Sequence, residues 1–362
     1  MAKYDFRESI SVECIATSNM VKYDRMGKLI PYAFTGSDAD HITLFIDLFP
    51  IYRNTISRKY RTNITNEYIA LVPAIVNMCV HYRQFFKRLG VATKIYLISS
   101  YNVSPICCKL VYGYNKPMQE KLTVTEIVEM VRFNNELLDI LCPYLPNIYF
   151  IPTEFESAVV IDYLIQREKD DGNQYPYLII SRDTLPAQLL PRYNDVAFLK
   201  PYKINGEDLS QIIPPSSHMD FERRFNDTVY GLNAENASQH KWGYVSPCNY
   251  VPLLALNGFK SRSMLSLVNI NIASKLINEV SPNIPIDMDT LFALNPELKE
   301  KISKEIAGNR FAALFSRGLM MSQFLSSGEP ENFNYLDLID PGALAMINSK
   351  YFPNDPISIY QL

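Results

Sequence analysis

Short apolar runs alternating with longer stretches of helical period organise the first two hundred residues. His41 to Tyr52 reads HITLFIDLFPIY. Its run Ile42 to Ile46, closed by Asp47, has the pattern of a strand buried on both faces of a parallel sheet. Thr65 to Leu89 then places Ile69, Val72, Ile75, Val76, Cys79, Tyr82 and Phe86 at helical spacing and stops at Gly90, a residue suited to a helix C-terminus. Lys94 to Ile98 predicts a second strand, followed by Ser99-Ser100-Tyr101-Asn102. Strand, helix and strand joined by short loops make a right-handed βαβ unit. Thr123 to Leu141 predicts a second amphipathic helix, capped by Thr123 or Thr125, with Glu126 and Glu129 in its first turns and Pro143 and Pro146 beyond its end. Asn147 to Ile151 predicts a third strand, and Pro152-Thr153-Glu154 opens a helix to about Arg167. The charged stretch Glu168 to Gln174 is expected in solvent. Tyr177 to Ile180 is a fourth strand ending in Ser181-Arg182-Asp183, and Val196 to Leu199 is strand-like.

From about Gly206 onward the pattern turns to helices separated by Pro, Asn and Gly. The expected organisation is a lead-in over 1–40 that adds an edge hairpin or covers the sheet, then an α/β domain over 41–205. A helical lobe over 206–285 and a helical C-terminal segment over 286–362 follow. In that last segment Glu297 to Ile306, Phe311 to Phe324 and a short stretch from Pro341 to about Tyr351 predict helices. The tail's Tyr351, Phe352, Ile357, Ile359 and Tyr360 suit packing onto the body or onto a protein partner.

With 362 residues, 48% of them hydrophobic, the chain can bury a large core. A net charge of −3 argues against a protein that wraps nucleic acid over its whole surface, since such binding needs many phosphate-neutralising cations. No apolar run is long enough to cross a bilayer, and Lys3, Asp5, Arg7 and Glu8 leave no apolar core for a signal peptide. The expectation is a soluble cytoplasmic protein without a membrane partner. Six cysteines, Cys14, Cys79, Cys107, Cys108, Cys142 and Cys248, contain no CxxC pair and read as free thiols. The 24 tyrosines, with abundant Asn and Ile, suit an AT-rich genome such as that of a phage or large virus, which would place the protein in host cytoplasm or virion.

The candidate chemistry is acidic. Asp47, Glu154, Glu156 and Asp183 all follow strands or open a helix, so all four are expected at the carboxyl edge of one sheet, where open α/β folds bind ligands. Structural roles are open to each: a helix cap for Asp183, a favourable macrodipole position for Glu154 and Glu156, and an ion pair between Asp47 and Arg53, Arg182 or Lys200.

The order of these motifs resembles the flap endonuclease and 5′→3′ exonuclease family of PIN-like nucleases. That family has a strand ending in Asp, a P-x-E-A-E/D helix start, a strand ending in S/T-x-D-x-D, and a helical hairpin near G-D-x-S-D-N-I-P-G-V-x-G-I-G. Here the corresponding stretches are PTEFESAVVIDYL, LIISRDTLPAQLL and GFKSRSMLSLVNIN, and the resemblance runs from about His41 to Val280. It implies a PIN-like parallel sheet with flanking helices plus a mainly helical lobe carrying a degenerate hairpin. It also implies Mg²⁺ or Mn²⁺ held by Asp47, Glu154, Glu156 and Asp183. In such sites two ions about 4 Å apart, caged by carboxylates, activate water and stabilise the leaving oxygen.

Against that pattern several ligand positions differ. Ser99-Ser100-Tyr101 stands where the family has Phe-Asp-Gly, Leu185 replaces the second aspartate of S-x-D-x-D, and Phe259 and Arg262 replace the two hairpin aspartates. Arg262 puts a positive charge where a cation should sit. Ser266, Asn269 and Asn271 replace hairpin glycines that allow close backbone approach to phosphate. Lys260, Arg262 and Lys275 are candidate phosphate contacts, as are Arg53, Arg58, Lys59 and Arg61, interleaved with Tyr52 and Tyr60.

Three readings follow. The first is a catalytically degenerate member that binds DNA or RNA, or a protein partner, in phage or viral replication or packaging. The second is an active divalent-metal 5′ nuclease with a reduced site. The third is a structural or virion subunit without nucleic-acid binding.

Overall fold

The computed structural model describes residues 24–34, 39–49, 67–100, 104–116, 131–135, 147–201, 203–204, 207–208, 210–230, 245–280, 283–296, 298–317 and 341–351, with isolated positions at 120, 128, 321, 353 and 356. The elements, in chain order, are α1 (Asp24–Ala33), β1 (His41–Asp47), α2 (Glu67–Arg88), β2 (Ala92–Ser100), α3 (Pro105–Leu110), β3 (Ile148–Thr153), α4 (Ser157–Asp170), β4 (Tyr177–Ile180), a 3₁₀-helix (Leu185–Arg192) and β5 (Val196–Lys200). The two-residue strands β6 (Lys203–Ile204) and β7 (Glu207–Asp208) and the strand β8 (Gln211–Ile213) come next. Helices α5 (Phe221–Phe225), α6 (Tyr250–Asn257), α7 (Ile270–Val280), α8 (Met288–Leu294), α9 (Leu298–Lys301), α10 (Lys304–Leu314) and α11 (Pro341–Tyr351) complete the chain.

The six-stranded sheet has the order β3-β2-β1-β4-β5-β8. Its first five strands are parallel, and β8 runs antiparallel along β5. Alternation along the strands divides the core. Ile42, Leu44 and Ile46 face a layer formed with α1, α2 and α11, while Phe45 faces α4, the 3₁₀-helix and α6. Four rings, Tyr149, Tyr96, Phe45 and Tyr177, form a row across β3, β2, β1 and β4, with centroids 4.9 to 6.0 Å apart. This explains aromatics within otherwise aliphatic strands, because neighbouring rings on one sheet face pack on each other. Helices α6, α7, α8 and α10 bury a third cluster, including Leu253, Ile277, Leu291 and Phe292. No helix among the described residues is long and apolar enough to cross a membrane.

The chain runs from β1 outward through β2 to β3, then crosses to the other side of β1 to make β4 and β5. The order therefore reverses between β1 and β4, and such a switch point opens a crevice at the strands' carboxyl ends. Asp47 and Ser181 lie there.

The structure differs from the sequence reading at several elements. Strand β3 continues to Thr153, paired with Ser100, so α4 begins at Ser157 and not at Glu154. Helix α4 runs on to Asp170, and Glu168 is buried. It accepts from Tyr96 Oη at 2.6 Å and Asn173 Nδ2 at 2.8 Å and pairs with Lys94, so the charged stretch from 168 is partly core. Strands β7 and β8 follow the expected composition boundary, and β8 completes the sheet. The helix expected over 297–306 is broken at Ser303, whose hydroxyl caps α10 through Ile306 N. Most of the helix expected over 123–141, the stretch 318–320 with 322–340, and the C-terminal tail fall outside the described residues.

Candidate functional site

Asp47, Glu156 and Asp183 meet at the switch point and are all buried. Asp47 ends β1. Its Oδ2 accepts from Ser181 Oγ at 2.7 Å and Ser157 Oγ at 3.1 Å, and its Oδ1 accepts from Phe49 N at 3.0 Å. These hydroxyls and an amide, and not Arg182 or Lys200, are its partners among the described residues, outside which Arg53 lies. Arg182 is exposed, and Lys200 donates to Thr228 O at 3.1 Å. Burial, followed by the negative charge of Asp183, pushes the Asp47 pKa up to about 7 against the pull of its three donors. Asp183 follows β4 by three residues. Its N donates to Ser181 Oγ at 3.0 Å, and its Oδ1 accepts from Leu185 N at 3.1 Å. That last contact is the cap-like arrangement open to it from sequence.

The group that joins these carboxylates comes from the connection between α6 and α7. Helices α6 and α7 are linked by a turn closed by Phe259 N donating to Met264 O at 2.9 Å and Met264 N donating to Phe259 O at 3.1 Å. Gly258 has φ 84° and Ser263 φ 60°, so the left-handed positions fall on Gly258 and Ser263. Asn269 instead caps α7, accepting from Ile272 N at 3.0 Å.

From this turn Arg262 enters the sheet edge with 0% of its side chain exposed. Its Nη2 lies 2.7 Å from Glu156 Oε2, its Nε 3.1 Å from Glu156 Oε1, and its Nη1 2.7 Å from Asp183 Oδ2. The guanidinium lies over the rings of Phe49, at 5.0 Å, and Phe259, at 5.5 Å. A planar fork of donors lying over aromatic rings suits arginine and not lysine. Burial alone would lower the Arg262 pKa, and the Asp183 and Glu156 charges reverse that and hold it well above its ordinary value. Tyr114 Oη also donates to Glu156 Oε1, and Asn115 N donates to Arg262 O at 2.7 Å. The loop after α3 thus pins the Arg262 turn from a third direction.

Glu154, expected as a ligand, is exposed and makes no ion pair among the described residues. Arg262, expected also as a phosphate contact, is interior and paired, so that part of the sequence reading is corrected. Lys260 is exposed, and Lys275 is exposed beside Glu279 at 3.6 Å. Arg53, Arg58, Lys59 and Arg61 lie outside the described residues.

The donor set does not fit a divalent ion. Both Glu156 oxygens and one Asp183 oxygen face the guanidinium, and the remaining Asp183 oxygen and both Asp47 oxygens accept from protein donors. No group of three or more His, Cys, Asp or Glu among the described residues is arranged to hold a metal. At the other positions where the sequence departs from the family pattern, Ser99 donates to Asn134 Oδ1 at 3.0 Å, Ser100 to Phe155 O, and Leu185 and Phe259 are buried in the core.

Nothing local in the chain points to Tyr114 or Ser157 as parts of this cluster. Ser181 was visible as the first residue of the S-x-D motif.

Solved structures with a similar architecture include the bacteriophage T5 flap endonuclease, as a pseudo-enzyme–product complex with DNA and metal ions. It has 12% identity, a TM-score of 0.46, and coverage of 80% of this chain and 94% of that one. The T5 protein co-crystallised with metal ions gives 11% identity and a TM-score of 0.49 over 79% of this chain and 94% of that one. Human GEN1 in complex with Holliday junction DNA gives 13%, 0.44, 87% and 68%. No family model matches the sequence, and no curated protein matches it.

Proposed function

We propose that this chain is a flap-endonuclease-like protein that binds nucleic acid without metal-dependent cleavage, its carboxylate cluster neutralised from within by Arg262. The observation that carries this reading is the fully buried Arg262 paired to both Glu156 and Asp183. A nuclease of the resembled kind needs those oxygens for cations, and here a fixed guanidinium takes them. Asp47, left as the third carboxylate, is held by hydroxyl donors and has a raised pKa, which eases the excess negative charge.

Lys260 sits on the turn that carries Arg262, and Lys275 lies on α7 just beyond it. Both side chains are exposed. They are the described cations of the hairpin left to face phosphates, and they form the proposed nucleic-acid edge. The Tyr-, Asn- and Ile-rich composition fits a role in the DNA handling of a phage or large virus.

The test is incubation of the full chain with 5′-flapped and single-stranded DNA in Mn²⁺ or EDTA, scoring band shift and cleavage on the same samples. A metal-independent shift without cleavage is expected. Metal-dependent cleavage that disappears in Asp183→Asn would overturn the reading, and absence of any shift at low salt would remove nucleic acid as the partner.

A further inference from the structure

A cavity of about 420 Å³ opens where the 3₁₀-helix Leu185–Arg192 meets α6, the start of α8 and the end of α10. Its size is that of small-molecule sites. It shares no residue with the Asp47–Arg262 cluster, and the inference stands without the function proposed above.

Two cations line it, Arg192 and Arg317, and both lean on one carboxylate. Arg192 Nη1 donates to Asp162 Oδ2 at 2.8 Å and to Ser316 Oγ at 2.6 Å, while Ser316 Oγ donates to that same Asp162 oxygen at 2.9 Å. Tyr193 Oη occupies the other oxygen. Arg317 reaches Asp162 only at 3.6 Å, bonds Tyr193 Oη from Nη2 at 3.0 Å, and is 48% exposed. One buried carboxylate cannot neutralise two guanidiniums, so this end of the cavity carries surplus positive charge.

Beside it, Phe311 and Phe315 stack with centroids 5.0 Å apart, and the Arg192 guanidinium lies 4.5 Å from the Phe315 ring centre. Elsewhere in the lining Asp287 contributes a carboxylate, with Oδ1 accepting from Thr290 N at 2.6 Å.

We propose that this cavity binds a nucleoside monophosphate, with its phosphate at Arg317, its base against the Phe311 ring at the end of the Phe311–Phe315 stack and an amino-bearing edge toward Asp287. An aliphatic acid would leave the Phe311 ring unused, and an uncharged ring would leave Arg317 unanswered. Guanidinium groups recognise phosphate by charge-assisted hydrogen bonds, and aromatic faces accept any base.

The experiment is calorimetric titration of the full chain with AMP and CMP, alongside adenosine, inorganic phosphate and free tyrosine, repeated on Arg317→Ala and Cys248→Trp. The expected result is nucleotide binding that weakens about tenfold or more in Arg317→Ala, the scale of one lost hydrogen bond to a charged group. Cys248→Trp, which fills the cavity without touching charge, should abolish it. Adenosine and phosphate should each bind more weakly than AMP. Arg317 is half-exposed, so its variant reports even if Cys248→Trp does not fold. No binding at ~10 mM nucleotide (about tenfold above the weak end, ~1 mM, of ordinary substrate affinities), unchanged affinity in Arg317→Ala, or tighter binding of phosphate or tyrosine than of AMP would each overturn the proposal.

Discussion

Replacing Arg262 by Ala isolates the energetics of the cluster. The substitution leaves Glu156 and Asp183, with side chains 1% and 4% exposed, without their countercharge. Breaking a buried pair in this way costs about 3–5 kcal/mol. For a chain of 362 residues unfolding cooperatively at about 2.1 cal/mol/K per residue, that cost lowers Tm by about 4–7 °C. The charge-free triple variant Arg262→Met/Glu156→Gln/Asp183→Asn should recover most of the loss, because it strands no ion. Thermal melts followed by near-UV circular dichroism at pH 7 measure both shifts. An Arg262→Ala protein that melts within 1 °C of wild type at pH 7, the shift expected for about 0.8 kcal/mol, would refute the buried-pair argument.

Three further outcomes are expected. Asp47, with a folded pKa near 7 against an ordinary 3.8, makes wild-type stability fall between about pH 4 and pH 7, by on the order of 4 kcal/mol in total. Asp47→Asn should flatten that slope in urea titrations run across the window, and an unchanged slope would contradict it. Gly258→Ala places a Cβ 2.5 Å from Met264 O and 2.7 Å from the Leu265 carbonyl carbon at φ 84°, so it should cost more than the ~1 kcal/mol of an ordinary glycine replacement; a neutral effect in chemical denaturation would show that the turn is not tight. Lys260→Ala/Lys275→Ala should weaken DNA binding alike across sequences and reduce the slope of log K against log salt by about two, and an unchanged slope would remove both lysines from the interface.

The parallel strands were legible because burial on both faces demands continuous apolar runs, and Ile42–Ile46 and Tyr177–Ile180 contain little else. Their ends were legible for the same reason, since Asp47 and Ser181 are the first polar residues after apolar strands. What failed to show depended on partners distant in sequence. Glu154 looked like the first turn of a helix because Pro152 suits such a position, yet Pro152 and Thr153 pair with Ser99 and Ser100 and extend β3. Glu168 sits in a run of charges that reads as solvated, and its burial rests largely on Lys94 and Tyr96, more than seventy residues earlier, with Asn173 on its other oxygen. Strand β8 is three residues long and acquires its identity from β5.

Arg262 shows the limit most sharply. From the sequence it was both a charge at a ligand position and a candidate phosphate contact, and nothing local separates these roles. The separation comes from the fold, which brings residues 156, 183 and 262 together from a helix start, a strand end and the turn between α6 and α7. Because Arg262 pairs with both carboxylates and its removal strands them together, the three should behave as a unit. The sum of the losses in Glu156→Gln, Asp183→Asn and Arg262→Met singly should exceed the loss in the triple variant by several kcal/mol, where unconnected sites would add. That coupling distinguishes an arginine that is an internal counter-ion from one that is merely buried nearby. It also means that Arg262 ties the helical turn to the sheet edge by the same contacts that neutralise the cluster, so loosening the turn and unbalancing the charge are one event.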